Sequence, residues 1–199
     1  MRCPACNEST PPSGQWPALD TATVRTTGPG DLVLFVAGNW EAQDLLRNGH
    51  WTNIESPAFQ RYEAAQMHKA VEIGTAHGAR FAFTSMPAMA GGAAFHEPAF
   101  PEDSPRRRMI YNHLIAQVAA EFPGKASVVD LGHILTPQGV FTEFIDGVQV
   151  RVHDGVHTPS FAPGNVFVEN STPAEAYTFY NWLSPRIWPL LVKAADAPG

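Results

Sequence analysis

The sequence predicts an α/β fold, a doubly wound sheet of parallel strands, on three observations. Three apolar runs are unbroken rather than alternating: "LVLFVA" (32–37), "ARFAFTSMP" (79–87) and "ASVVDLG" (126–132). Continuous runs of that length suit strands covered on both faces. Segments with apolar residues at helical spacing separate them, giving the order strand, helix, strand, helix, strand. The third observation is length: 199 residues suffice for one domain with a single well-buried core.

Composition narrows the function classes. Apolar residues make up 44% and charged residues 16%, with a net charge of −6. That balance argues against a nucleic-acid surface, which needs a concentrated basic footprint. No run approaches the length of a membrane span, and no signal-peptide pattern opens the sequence. The triplet Arg106-Arg107-Arg108 reads as a solvated face rather than an anion site.

Residues 1–30, rich in Pro, Gly, Ser and Thr, read as an irregular N-terminal segment, and residues 31–195 as the domain. Cys3 and Cys6 form a C-x-x-C pair, half of a zinc site or a redox pair by spacing. Neither context is met: two further ligands are lacking, and no strand precedes the motif. A disulfide or an inert loop is the expectation. After the first strand, residues 57–77 carry Phe59, Tyr62, Ala65, Ala70 and Ile73 at helical spacing. Residues 105–122 do the same with Ile110, Leu114, Val118 and Phe122. Residues 141–151 hold two short β-like runs around Asp146-Gly147, a dipeptide favoured in tight hairpins. Thr172, Pro173 and Glu175 compose a capping box, so a helix should begin near 173 and stop before Ser184-Pro185.

The chemistry concentrates in "VRVHDGVHTP" (150–159). In an open parallel sheet, ligands bind outside the carboxyl ends of the strands. The loop between the hairpin and the last helix can reach that edge. Asp154 and His157 are three residues apart, so a tight turn can set the carboxylate against the imidazole. One ring nitrogen is then fixed as donor and the other can take a proton from a nucleophile. A metal site built on His153, Asp154 and His157 is the competing reading. Side chains of adjacent residues diverge, however, and His153 reads as structural. Asn39, just past the first strand, can donate to a developing oxyanion or sit in a turn.

In order and content these blocks resemble the SGNH (GDSL-like) hydrolase superfamily. "FVAGNWE" resembles its Gly-x-Asn block with Asn39 in the oxyanion position, and "GVQVRVHDGVHTP" its Asp-x-x-His block. "ARFAFTSMP", "RRRMIYNHLIAQVA" and "ASVVDLGHIL" are similar to the elements between. The resemblance covers roughly residues 30 to 190. It is closest to domains fused to membrane acyltransferases that act on O-acyl groups of cell-surface glycans. It implies a three-layer α/β/α fold with a mostly parallel, flavodoxin-like sheet, here lacking its first strands. It also implies a triad in which His157 is base and Asp154 its orienting acid, with no metal or organic cofactor. The substrate would be an acylated glycan or another small ester, outside the cytoplasmic membrane.

Two departures stand out. Ala37 replaces the glycine of the Gly-x-Asn block, and the Gly-Asp-Ser block that supplies the nucleophile is missing. Ser9 and Ser13 are loop serines without that context. Ser85, at the end of a predicted strand, lacks the Gly-x-Ser-x-Gly elbow, and Pro87 disturbs any helix behind it. Ser160 reads as a cap. The expectation is therefore an esterase or acyltransferase domain that is inactive as this chain. Its first apolar strand would keep a bare edge unless a missing N-terminal segment, residues 1–30 or a second chain covers it. The alternative is a non-catalytic glycan-binding or scaffold module. Trp40, Trp51 and Phe95 would be its stacking surfaces, although aromatics of this kind are expected in the core.

Overall fold

The computed structural model describes residues 16–36, 40–160 and 171–196. In chain order the elements are α1 (Trp16–Val24), β1 (Leu32–Phe35), β2 (Leu45–Arg47), β3 (His50–Thr52), α2 (Pro57–Gly74) and β4 (Arg80–Thr84). They continue with α3 (Gly91–Ala94), α4 (Pro105–Glu121), β5 (Ala126–Val129) and α5 (Leu131–Leu135). A hairpin of β6 (Phe144–Ile145) and β7 (Val148–Gln149) precedes the last helix, α6 (Pro173–Ala195).

The fold is α/β. Its sheet has the order β1-β4-β5, with both neighbours parallel to the central β4. Alternation along β4 explains how the sheet is covered. Phe81 and Phe83 point to one face, where they pack with Phe59, Met67 and Val71 of α2 and with Tyr111, Ile115 and Val118 of α4. Ala82 points to the other, where it joins Val129 and the α6 residues Ile187, Leu190, Leu191 and Ala194. The small side chain on that face lets α6 lie close to the sheet. On the opposite face, Gly74 ends α2 where a Cβ would sit 2.4 Å from the Phe81 ring, so only glycine fits there. A second apolar cluster, Leu135, Val150, Phe179 and Trp182, joins α5 and the hairpin to α6.

The three expected strands are all present, each shorter than its apolar run. Asp146 and Gly147 both have positive φ, 52° and 77°, as the expected hairpin turn requires. The capping box also forms: Thr172 Oγ1 accepts from Glu175 N at 3.2 Å, and Thr172 N donates to Glu175 Oε2 at 2.6 Å. Two expectations fail, and one element stands where no expectation was made. Part of the segment read as irregular is a helix, α1, which lies on α2. The hairpin of β2 and β3 interrupts a stretch that carried no strand signal. And α6 does not stop before Ser184 but continues through Pro185 and Pro189 to Ala195. Proline removes one helical N–H and crowds the preceding turn. Here the burial of Ile187, Leu190 and Leu191 against the sheet outweighs that loss. Among the described residues, β1 pairs with β4 alone, and no helix is long and apolar enough to cross a membrane.

Candidate active site

The chain from Val150 to His157 folds back on itself. Val152 N donates to the His157 carbonyl at 2.9 Å, and Gly155 N to the Val152 carbonyl at 3.1 Å. Within this loop Asp154 is 8% exposed and accepts three hydrogen bonds. Its Oδ1 takes Val156 N at 2.8 Å and His157 N at 2.9 Å, and its Oδ2 takes His157 Nδ1 at 2.6 Å. An ionised carboxylate can only accept, so Nδ1 is the donor of this contact, and in the neutral imidazole the lone pair then lies on Nε2. The His157 side chain is 43% exposed. The expected pair is therefore formed: the carboxylate is fixed by its own loop, and the ring reaches the surface.

The loop is seated against the turn that follows the carboxyl end of β4. Ala90 N donates to the Gly155 carbonyl at 3.0 Å. Gly155 has φ +73°, and a Cβ there would lie 2.5 Å from the Ala90 carbonyl oxygen. Glycine is thus required both by backbone conformation and by close approach. The 90–92 turn is itself anchored by Asp103, which accepts from Gly91 N, Gly92 N and Phe100 N at 2.7 to 2.9 Å.

The other candidates go elsewhere. Asn39 lies outside the described residues, as do Ala37, Cys3, Cys6, Ser9 and Ser13. Ser85 does stand at the end of β4, but its hydroxyl is committed. It donates to Asp130 Oδ1 at 2.6 Å and accepts from Gly132 N at 2.8 Å, tying β4 to the start of α5. No bond joins Ser85 to His157, so the weak nucleophile candidate is a structural clasp here. Ser160 exchanges backbone bonds with the Ser171 hydroxyl. His153 turns away from the pair to Glu143, Nδ1 to Oε1 2.9 Å, as the divergence of adjacent side chains leads one to expect. Among the described residues, no group of three or more His, Cys, Asp or Glu converges as metal ligands would.

Two expectations about surface residues are corrected. Trp40 and Phe95 are 64% and 58% exposed, and Trp51 is partly exposed, so none is a core aromatic. The arginine triplet is not a single solvated face either. Arg106 is exposed, whereas Arg107 is half-buried and held by Asp44 Oδ1 at 2.9 Å and the Ala42 carbonyl at 2.8 Å.

Sequence reasoning missed two groups. Arg151, between Val150 and Val152, is 1% exposed. Burial lowers its pKa to about 10, and the charge of Asp154 acts in the opposite sense. A lone cation inside an apolar β-like run, "VQVRV", was the available signal. The second group lies beyond β1, where Glu63 and Tyr111 are buried. Desolvation, with Glu41 adding and Arg47 opposing, raises the Glu63 carboxyl to about 8. Among the described residues the Tyr111 hydroxyl has no hydrogen-bond partner, and burial raises its pKa well above the usual phenol range. Nearby, Gln43 Nε2 donates to Glu102 Oε2 at 2.5 Å, and desolvation raises that carboxyl as well.

Compared with protein-family models and with curated proteins, the sequence matches none.

Proposed function

We propose that this chain is an SGNH-type carboxylic-ester hydrolase or acyltransferase domain whose substrates are O-acyl groups, acetyl above all, on glycans outside the cytoplasmic membrane. The observation that carries the reading is the 2.6 Å contact between Asp154 Oδ2 and His157 Nδ1, with the loop docked beyond the carboxyl end of the central parallel strand. The SGNH resemblance set out from the sequence adds the substrate class.

In this reading a serine Oγ attacks the acyl carbonyl while its proton passes to His157 Nε2. The C–O bond to the sugar then breaks as His157 returns that proton to the leaving oxygen. Asp154 keeps the ring in the required tautomer and compensates the imidazolium. Asn39 is the expected oxyanion donor, a contribution of about 3 kcal/mol where single donors have been removed. Ser85, at the end of β4, is engaged by Asp130 and Gly132, and the sequence lacks a Gly-Asp-Ser block. In serine proteases, loss of the nucleophile costs on the order of a millionfold in kcat. The purified chain is therefore expected to show ester hydrolysis at background level.

The test pairs binding with turnover. O-acetylated glycan oligomers should bind more tightly than their deacetylated forms, a preference weakened by His157→Ala, while acetate release stays at background. Equal affinity for both forms, or for neither, overturns the substrate class. Turnover that disappears in His157→Ala would retain the hydrolase class and place a functional serine in this chain.

A non-catalytic glycan-binding module is the second reading, favoured by the exposure of Trp40 and Phe95. Sugar rings stack on exposed aromatic faces without needing a base. Glycan binding indifferent to His157→Ala, but lost in Trp40→Ala, would select it.

A further inference from the structure

The hairpin of β6 and β7 sends its side chains to two faces. Ile145 and Val148 pack toward Leu135, Val150, Phe179 and Trp182. Phe144 and Gln149, opposite one another across the ladder, take the other face. Phe144 is 55% exposed, so core burial does not account for an aromatic ring at this position. Among the described residues it lines a groove of about 350 Å³ between the hairpin and the first turns of α6, within the size range of small-ligand sites.

One polar wall of the groove is set in advance. A single oxygen of Glu143, Oε1, accepts from Gln149 Nε2 at 3.0 Å and pairs with His153 Nδ1 at 2.9 Å. Both planar groups are thus fixed by one carboxylate, which leaves Gln149 Oε1 and His153 Nε2 to a ligand. Glu175, from α6, also lines the groove; its Oε2 serves the cap of the helix. A pyranose is the complement of such a place. It has an apolar C–H face and a rim of hydroxyls, each of which both donates and accepts. The carboxylates of Glu143 and Glu175 disfavour an anionic ligand. Strands β6 and β7, two residues each, are too short to receive a peptide by strand addition.

We propose that this groove is a saccharide subsite: Phe144 stacks on the C–H face of a neutral sugar unit, and Gln149, His153 and Glu175 take its hydroxyls. The proposal deepens the glycan reading above and rests on it for the class of polymer. The groove shares a loop with the acid–base pair, since Val152 N, next to His153, meets the His157 carbonyl at 2.9 Å. The His153 side chain turns away from the pair, so the subsite holds a sugar other than the one that reacts.

The experiment records amide NMR spectra of the full chain with neutral tetrasaccharides of glucose, galactose, mannose and N-acetylglucosamine, each with and without O-acetyl groups. At least one should shift the amides of 144–149 and 174–178, and tetragalacturonate should not. Phe144→Ala should weaken acylated and unacylated forms alike by about tenfold or more, the loss of a buried aromatic contact. Gln149→Ala should weaken them by about fivefold, the loss of one hydrogen bond. Groove amides that respond to no neutral tetrasaccharide, or that respond to tetragalacturonate as well, overturn the proposal. So does unchanged affinity in a folded Phe144→Ala chain. Equal affinity for acylated and unacylated forms, both weakened by Phe144→Ala, keeps the subsite and sinks the acyl-ester reading. A preference for the acylated form that is lost in His157→Ala, with affinity untouched by Phe144→Ala, does the reverse.

Discussion

Asp154 and Glu63 are buried to the same degree, each 8% exposed, and they have opposite chemistry. Asp154 is met by three N–H groups from its own loop. Glu63 has the Glu41 charge against it and only Arg47 in its favour, so burial drives its carboxyl up to about 8. Depth alone does not set the charge of an acid; the donors delivered to its oxygens do. A loop that folds its amides onto one carboxylate has built an anion holder. A helix that carries a glutamate into an apolar layer has built a proton holder.

Three substitutions can break or sharpen that contrast, taken from the largest effect to the smallest. Asp154→Ala strands the Val156 and His157 backbone amides and removes the acceptor of His157 Nδ1. Leaving donors of this kind without their acceptor costs about 3 kcal/mol, to be read from urea denaturation. A loss below about 1 kcal/mol would show that the loop does not depend on the carboxylate.

Glu63 gives the second test, and its sign follows from linkage. The folded chain holds the Glu63 proton more tightly than the unfolded chain, because its carboxyl rises from 4.5 to about 8 on folding. The stability this contributes is complete below pH 4.5 and is lost as pH rises through about 8. Glu63→Gln stays neutral at every pH. It should therefore melt higher than wild type above pH 8, by an amount on the order of 2 kcal/mol, and flatten the decline between. An identical pH dependence in the two chains would mean that water reaches the Glu63 carboxyl. Tyr111→Phe is the smallest. It removes a buried hydroxyl with no partner among the described residues, so stability should rise by about 1 kcal/mol or stay level. A fall of that size would reveal a bond to the hydroxyl.

The parts of the molecule legible in the sequence were those written in local pattern. The three strands announced themselves as apolar runs because both sheet faces are covered. The start of α6 was readable because a capping box is a four-residue motif. The Asp154–His157 pair was readable because a turn needs only three residues to join them. What escaped depended on distant residues. The helical course of α6 past Pro185 is decided by apolar contacts with strands some hundred positions earlier. Ser85 could be recognised as a strand-end serine, but its engagement by Asp130 and Gly132 spans 45 and 47 residues and leaves no local trace. Arg107 looked like its two neighbours until Asp44 was placed against it.

The carboxamide of Asn112 behaves as a substitute for a neighbouring strand. It accepts from Met86 N at 2.7 Å through Oδ1 and donates to the Met86 carbonyl at 3.0 Å through Nδ2, satisfying both main-chain groups just beyond β4. That double clamp welds α4 to the sheet at the rim of the site, so the two must travel as one piece. Any opening around the imidazole then has to be taken up on the far side, where, among the described residues, a single main-chain bond, from Ala90 N to the Gly155 carbonyl, joins that loop to the rim. The stiffness of one wall thus dictates which wall can yield.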